Sequence, residues 1–110
     1  MIYLVTADQE LFESNVYKHI SVEESLAMMK DWNMIQFDTE TTGLDPHIDK
    51  SLMWQFGNID ETVQIIVDCS TINPNLYKEI FENHFIIGTN LGFDCKFSFK
   101  EGIVPRKVYD

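Results

Sequence analysis

Two strand-like runs with almost nothing between them constrain the fold of this chain more than any other feature. Ser51 to Ile59 and Thr62 to Asp68 each read as a strand, and only Asp60-Glu61 separates them. Strands joined so tightly form an antiparallel hairpin. Met34 to Glu40 is a further strand before the hairpin, so the middle of the chain reads as a meander. After it, Pro74 opens a segment with Leu76, Ile80 and Phe81 that reads as a helix to about Asn83. Phe85 to Gly88 is then a buried strand, and Asn90 to about Lys100 a helix closed by Gly102. A strand that follows a helical crossover pairs in parallel, so the order β-β-β-α-β-α requires a mixed sheet with flanking helices, an α/β fold.

The ends of the chain fit this frame. Ile2 to Thr6 and Val16 to Ile20 are short β-like runs, and Ser21-Val-Glu-Glu24 is a capping box. The box opens a helix with Val22, Leu26 and Met29 at helical spacing, ending near Trp32-Asn33. Val108-Tyr-Asp110 reads as a last strand. At 110 residues there is room for one domain or part of one, and eight Phe, four Tyr and two Trp suffice for a core. Nothing approaches the roughly 20 apolar residues of a membrane span, so no membrane partner is expected. Cys69 and Cys95 lie in no C-x-x-C or Cys/His cluster, which points away from zinc and toward buried thiols in a reducing compartment such as a cytoplasm.

The formal net charge of -10 argues against a module that grips nucleic acid with Lys and Arg alone. It is compatible with an enzyme that meets phosphates through divalent cations, because such a site needs clustered carboxylates. Asp38 and Glu40 supply a pair: two apart on a strand, they share one face, while Ile35, Phe37 and Thr39 take the other. Adjacent carboxylates repel unless a cation lies between them, and oxygen-only ligands favour magnesium or manganese. The triplet alone carries no weight, since this composition yields roughly 0.7 Asp-x-Glu triplets by chance. Asp8-Gln-Glu10 is a second one, best read as a solvated turn or helix start. Context separates the Asp38 pair: an apolar strand precedes it, and Thr41-Thr42-Gly43-Leu44-Asp45-Pro46 ends the strand in a turn.

A second segment runs from Ile86 to Phe97. Its strand enters Gly88, Asn90 is placed to cap the following helix, and Asp94 falls one turn later on the same side. Alone, Asp94 reads as a partner for the helix dipole. Together, Phe37-Asp-Thr-Glu-Thr-Thr-Gly-Leu44 and Asn90-Leu-Gly-Phe-Asp94 resemble the first two motifs of the DEDD superfamily of 3′-to-5′ exonucleases, above all the proofreading domain of family A DNA polymerases. The resemblance covers about Ile2 to Asp110 and includes Gln55-Phe-Gly57.

The resemblance implies a ribonuclease H-like fold and two-metal hydrolysis of a single-stranded DNA 3′ end, with two Mg²⁺ or Mn²⁺ ions as cofactors. Asp38, Glu40 and Asp94 would be the catalytic, metal-binding carboxylates, one ion held by Asp38 and Asp94 and the second shared by Asp38 and Glu40. Thr41, Leu44, Asn90 and Phe93 would bind substrate, with Leu44 wedged against the terminal base. Thr89 stands where relatives often have His. The family's third motif, a Tyr or His followed by a fourth Asp, is implied to lie beyond Asp110, so Tyr109 and Asp110 are not assigned and residues 1–110 are expected to form a partial exonuclease domain. The implied partner is a polymerase domain. The fragment is expected to have little activity alone and to self-associate through the sheet face that further helices would cover. Alternatives are an RNA-directed 3′-to-5′ exonuclease, since one site hydrolyses either backbone, and a non-catalytic exonuclease-like docking module. His19, His47 and His84 read as surface or turn residues. Trp32, Trp54 and the phenylalanines read as core.

Overall fold

The computed structural model describes residues 1–12 and 16–109. In chain order the elements are β1 (Ile2–Val5), β2 (Lys18–His19), α1 (Val22–Lys30), β3 (Met34–Thr41), β4 (Ser51–Asn58), β5 (Gln64–Asp68), α2 (Lys78–Asn83), β6 (Phe85–Ile87), α3 (Leu91–Lys100) and β7 (Lys107–Tyr109). Short 3-10 turns precede β2 at Gln9–Leu11 and α2 at Pro74–Tyr77. The strands form one seven-stranded sheet in the order β2-β1-β5-β4-β3-β6-β7. β3, β4 and β5 are the antiparallel meander, and β6 lies parallel to β3. The mixed sheet is therefore as expected from the sequence. Asp110 lies outside the described residues, so the expected last strand is seen only as Lys107–Tyr109.

Local chemistry explains the elements. Ser21 Oγ accepts the Glu24 N–H at 3.0 Å, and Glu24 Oε1 accepts the Ser21 N–H at 3.1 Å, completing the box that starts α1. Gly102, at φ 76°, takes the left-handed conformation that ends α3. The hairpin turn is less comfortable: Glu61 holds φ 58°, a region that costs a side chain energy. Pro74 does start a helical segment, but as a 3-10 turn, with Asn73 Oδ1 accepting the Asn75 N–H before α2 proper begins.

The alternation of β3, β4 and β5 puts Ile35, Phe37, Thr39, Trp54, Phe56, Ile65 and Val67 on one buried face. Phe81 and Tyr77, from the α2 segment, close over them. Phe81 meets Phe37 edge-on at 4.9 Å between centroids, and Tyr77 stacks on Phe56 at 5.3 Å. Such pairs add about 0.5–1.5 kcal/mol each beyond area burial. In α1 the residues most buried are Met29 and Ser25, not the expected Val22 and Leu26, which are half-buried. Ser25 can be buried because its hydroxyl bonds Tyr77 Oη at 2.7 Å and the Val22 carbonyl at 2.6 Å.

The other face of the sheet is polar at its centre. Gln36, Asp38, Gln55, Gly57 and Gln64 lie on it, and with Gly88 and Thr89 they border a cleft of about 300 Å³. Gln64 Nε2 donates to Gln55 Oε1 at 3.0 Å, and Gln36 Nε2 donates to the Asn58 carbonyl at 3.2 Å. Apolar residues on this face include Met53 and Ile66 beside the glutamines and Met34, Phe85 and Ile87 at the flank.

Candidate active site

β3 and α3 carry the candidate carboxylates. Asp38 and Glu40 are exposed, on the opposite side of the strand from Phe37 and Thr39. Cross-strand, Asp38 faces Gln55 and Glu40 faces Met53; the register then shifts between Glu40 and Thr41, which faces Ser51. An irregularity of this kind bends a strand and re-aims its side chains, and such bulges concentrate near active sites.

Beyond the bulge, residues 42–50 form a loop organised by one carboxylate. Asp49 accepts the Thr42 hydroxyl and the Asp45 N–H, both at 3.0 Å. It also fills the space where a Cβ at Gly43 would sit, which is why this position has no side chain. Asp45 Oδ1 accepts the His47 N–H at 2.9 Å. Thr41 Oγ1 donates to the Gly43 carbonyl at 2.7 Å, so Thr41 shapes the loop entry. Leu44 stands out from the loop at 83% exposure.

α3 is brought against β3 by Gly88, where a Cβ would lie 2.8 Å from the Phe37 carbonyl oxygen. Asn90 does not cap α3 with its side chain as expected: it adopts φ 60°, and its carbonyl accepts the Phe93 N–H at 3.1 Å instead. The left-handed backbone needed to leave β6 and enter the helix removes the extended geometry that side-chain capping requires. Phe93 is half-buried and meets Phe97 at 5.3 Å.

Asp94 is 3% exposed, and its Oδ1 accepts the Thr39 hydroxyl at 2.5 Å. The structure thus joins α3 to the buried side of β3 through Thr39, while Asp38 and Glu40 are on the other side. Among the described residues no group of three or more His, Cys, Asp or Glu is placed to hold a metal ion. In donor type the residues fit a hard cation, with Asp38 and Glu40 as the oxygen ligands open to solvent. Asp94 is engaged with Thr39.

The remaining titratable groups have structural work. His19 Nε2 lies 3.2 Å from the Thr6 carbonyl, and its ring stacks on Phe12. His84 is held between the carbonyls of Ile80 and Lys30. Cys69 is a half-buried thiol and Cys95 a buried one. Burial, with Asp68 and Glu101 nearby, pushes the Cys69 thiol up to about 12, so it is no nucleophile.

Sequence reasoning passed over Thr39, Gly88 and the three glutamines. Gln36 and Asp38 are two apart on one strand, and that period-two relation was the available signal. Thr39 is visible only once α3 is docked.

A seven-stranded mixed sheet with Asp38, Glu40 and the Asp94 helix at one strand junction defines the class: an α/β, ribonuclease H-like exonuclease fold. A family model described as 3′-5′ exonuclease matches residues 14–110, and the chain belongs to that family, within the DEDD superfamily. Among solved structures, the catalytic core of RRP6 from Trypanosoma brucei superposes with TM-score 0.74 at 18% identity, over 100% of this chain and 28% of that one. Trypanosoma brucei RNase D in complex with RNA U12 gives 0.71 at 15% identity, over 99% and 37%. Brucella melitensis NrnC with bound Mg²⁺ gives 0.66 at 16% identity, over 99% and 49%. The chain spans less than half the length of each of these proteins. Among curated proteins, none matches it.

Proposed function

We propose that this chain is the part of a 3′-to-5′ exonuclease that holds the 3′ end of a single strand over Asp38 and Glu40. The observation that carries this reading is the pair of exposed carboxylates on one face of β3, at the register shift where the strand opens into the Leu44 loop. Family membership supports it. Divalent cations held there would supply an activated water and neutralise charge on the leaving oxygen. Asp38 and Glu40 would hold the cations, Asp94 would have to turn from the Thr39 hydroxyl to join them from α3, and Leu44 would abut the last base. Thr41 would fix the loop that presents Leu44, and Asn90 and Phe93 would line the strand's approach from the start of α3. The first-motif residues most resemble proofreading domains, which supports a DNA 3′ end as the substrate and a polymerase domain as the partner.

A second reading, RNA as substrate, is favoured by the shared shape with an RNase D that was solved with RNA U12. Calorimetric titration with Mn²⁺ tests the common core of both readings. Saturable binding that Asp38→Asn weakens is expected; no saturable binding favours the docking-module reading. The two substrates are separated by 3′-nucleotide release from matched DNA and RNA single strands with Mg²⁺.

A further inference from the structure

We infer that the cleft between the residue 42–50 loop and the outer side of α3 is a groove for a nucleotide unit of single-stranded nucleic acid. Lys96 and Lys100 would meet its phosphates, and Phe99 and Leu44 its base. The inference deepens the reading above and rests on it. The cleft has a volume of about 720 Å³ and is walled by Leu44, Asp45, Pro46 and His47 on one side and by Lys96, Phe99 and Lys100 on the other. That is within the usual range for ligand sites.

Three observations point to this ligand. The chain carries 18 acidic and eight basic residues, yet two of the eight stand one helical turn apart on this wall. Among the described residues the one ion pair is Lys78 with Glu82, so neither lysine is held in an ion pair, although Asp45 borders the same cleft. Lys100 Nζ donates to the Asp49 carbonyl, which fixes its ammonium at the groove wall. The acidic groups nearby, Asp45 and Asp49, are committed to backbone N–H groups of their own loop. Finally, the core absorbs most of the large aromatics, but Phe99 is 52% exposed and Leu44 83% exposed, and both border this cleft. A cationic wall with an open aromatic face suits phosphate plus base, and stacking on such a ring is tolerant of sequence. The groove is built from the same loop and helix that carry Leu44 and Asp94.

The test is fluorescence anisotropy of labelled oligothymidylates of three and eight nucleotides, with EDTA present so that nothing is cleaved. The double variant Lys96→Ala/Lys100→Ala is expected to bind the 8-mer about tenfold more weakly and to flatten its log K against log salt plot by roughly 1.4. Phe99→Ala is expected to weaken it roughly 5- to 150-fold. Lys30→Ala/Lys78→Ala, which removes the same charge elsewhere, is expected to bind as the parent does. Competition with a 5′-mononucleotide separates the sources: displacement places a free nucleotide in the groove, and persistence of the complex places a strand there. Either supports the groove. Undiminished 8-mer binding by the Lys96/Lys100 variant overturns it, as does equal displacement by polyglutamate. The Mn²⁺ titration keeps the two proposals apart: intact Mn²⁺ binding with undiminished 8-mer binding sinks the groove alone, and the reverse pair of results sinks the metal site alone.

Discussion

Replacing Thr39 by Val keeps the side-chain shape and removes one donor, and its effect can be worked out from a single contact. The Thr39 hydroxyl donates to Asp94 Oδ1 at 2.5 Å, and both residues are buried. A hydrogen bond to a charged group contributes about 1.5–3 kcal/mol, and the variant leaves the carboxylate short of a partner in a dry site. Unfolding entropy of about 2.1 cal/mol/K per residue gives a chain of this length roughly 230 cal/mol/K, so each kcal/mol moves Tm by about 4 °C. Thr39→Val should therefore lower Tm by roughly 6–13 °C, read by circular dichroism at neutral pH. Asp94→Asn keeps an acceptor without its charge, and charge-assisted bonds are about twice as strong as neutral ones. In that background Thr39→Val should cost about half as much. A Tm within about 2 °C of the parent, or an equal cost in both backgrounds, refutes the claim that Thr39 holds α3 to the sheet through Asp94.

Three further outcomes are expected. The Ser21 backbone and hydroxyl bonds hold the Glu24 carboxyl below its ordinary value, so its contribution is present above about pH 4.5 and is lost as pH falls through the lowered value; Glu24→Gln should flatten that acid limb of the Tm–pH curve. Burial pushes the Tyr77 phenol up to about 12, so its contribution is complete below pH 10 and disappears between 10 and 12. Tyr77→Phe should remove that alkaline limb and, through the lost Ser25 bond, cost about 1 kcal/mol in urea unfolding. Glu61→Gly should stabilise the protein by up to about 1 kcal/mol, because φ 58° suits glycine, and a lower urea midpoint would show the turn is not strained.

Where one residue's chemistry decides a feature, the sequence exposed it. Ser21 and Glu24 announce a helix start because the reciprocal bonds need only a spacing of three. The hairpin followed from two strand-like runs separated only by Asp60-Glu61, a connection too short for anything but antiparallel pairing. The sheet face of Asp38 and Glu40 was legible because residues two apart on a strand share a face. Asn90 misled because its cap propensity is a local preference, and the strand-to-helix turn imposed a left-handed backbone on it. Ser25 was hidden because its burial depends on Tyr77, 52 residues away. The partner of Asp94 was likewise set by docking: no local pattern says that a carboxylate in α3 will meet a hydroxyl in β3. Lys96, Phe99 and Lys100 look like ordinary helix-surface residues until the loop comes to lie opposite them.

Gly88 gives α3 the mechanics of a hinged arm. The helix is ten residues long, about 15 Å at the usual rise, and its near end leans on the Phe37 carbonyl where no side chain fits. Asp94 sits a short way out along that arm, and Lys100 at its far end. A side chain at residue 88 would meet the Phe37 carbonyl oxygen at 2.8 Å and Leu91 at 3.0 Å, so the start of the helix would have to give way. The places of Asp94 and of the Lys100 end of the helix are then set together, by a hydrogen atom at residue 88.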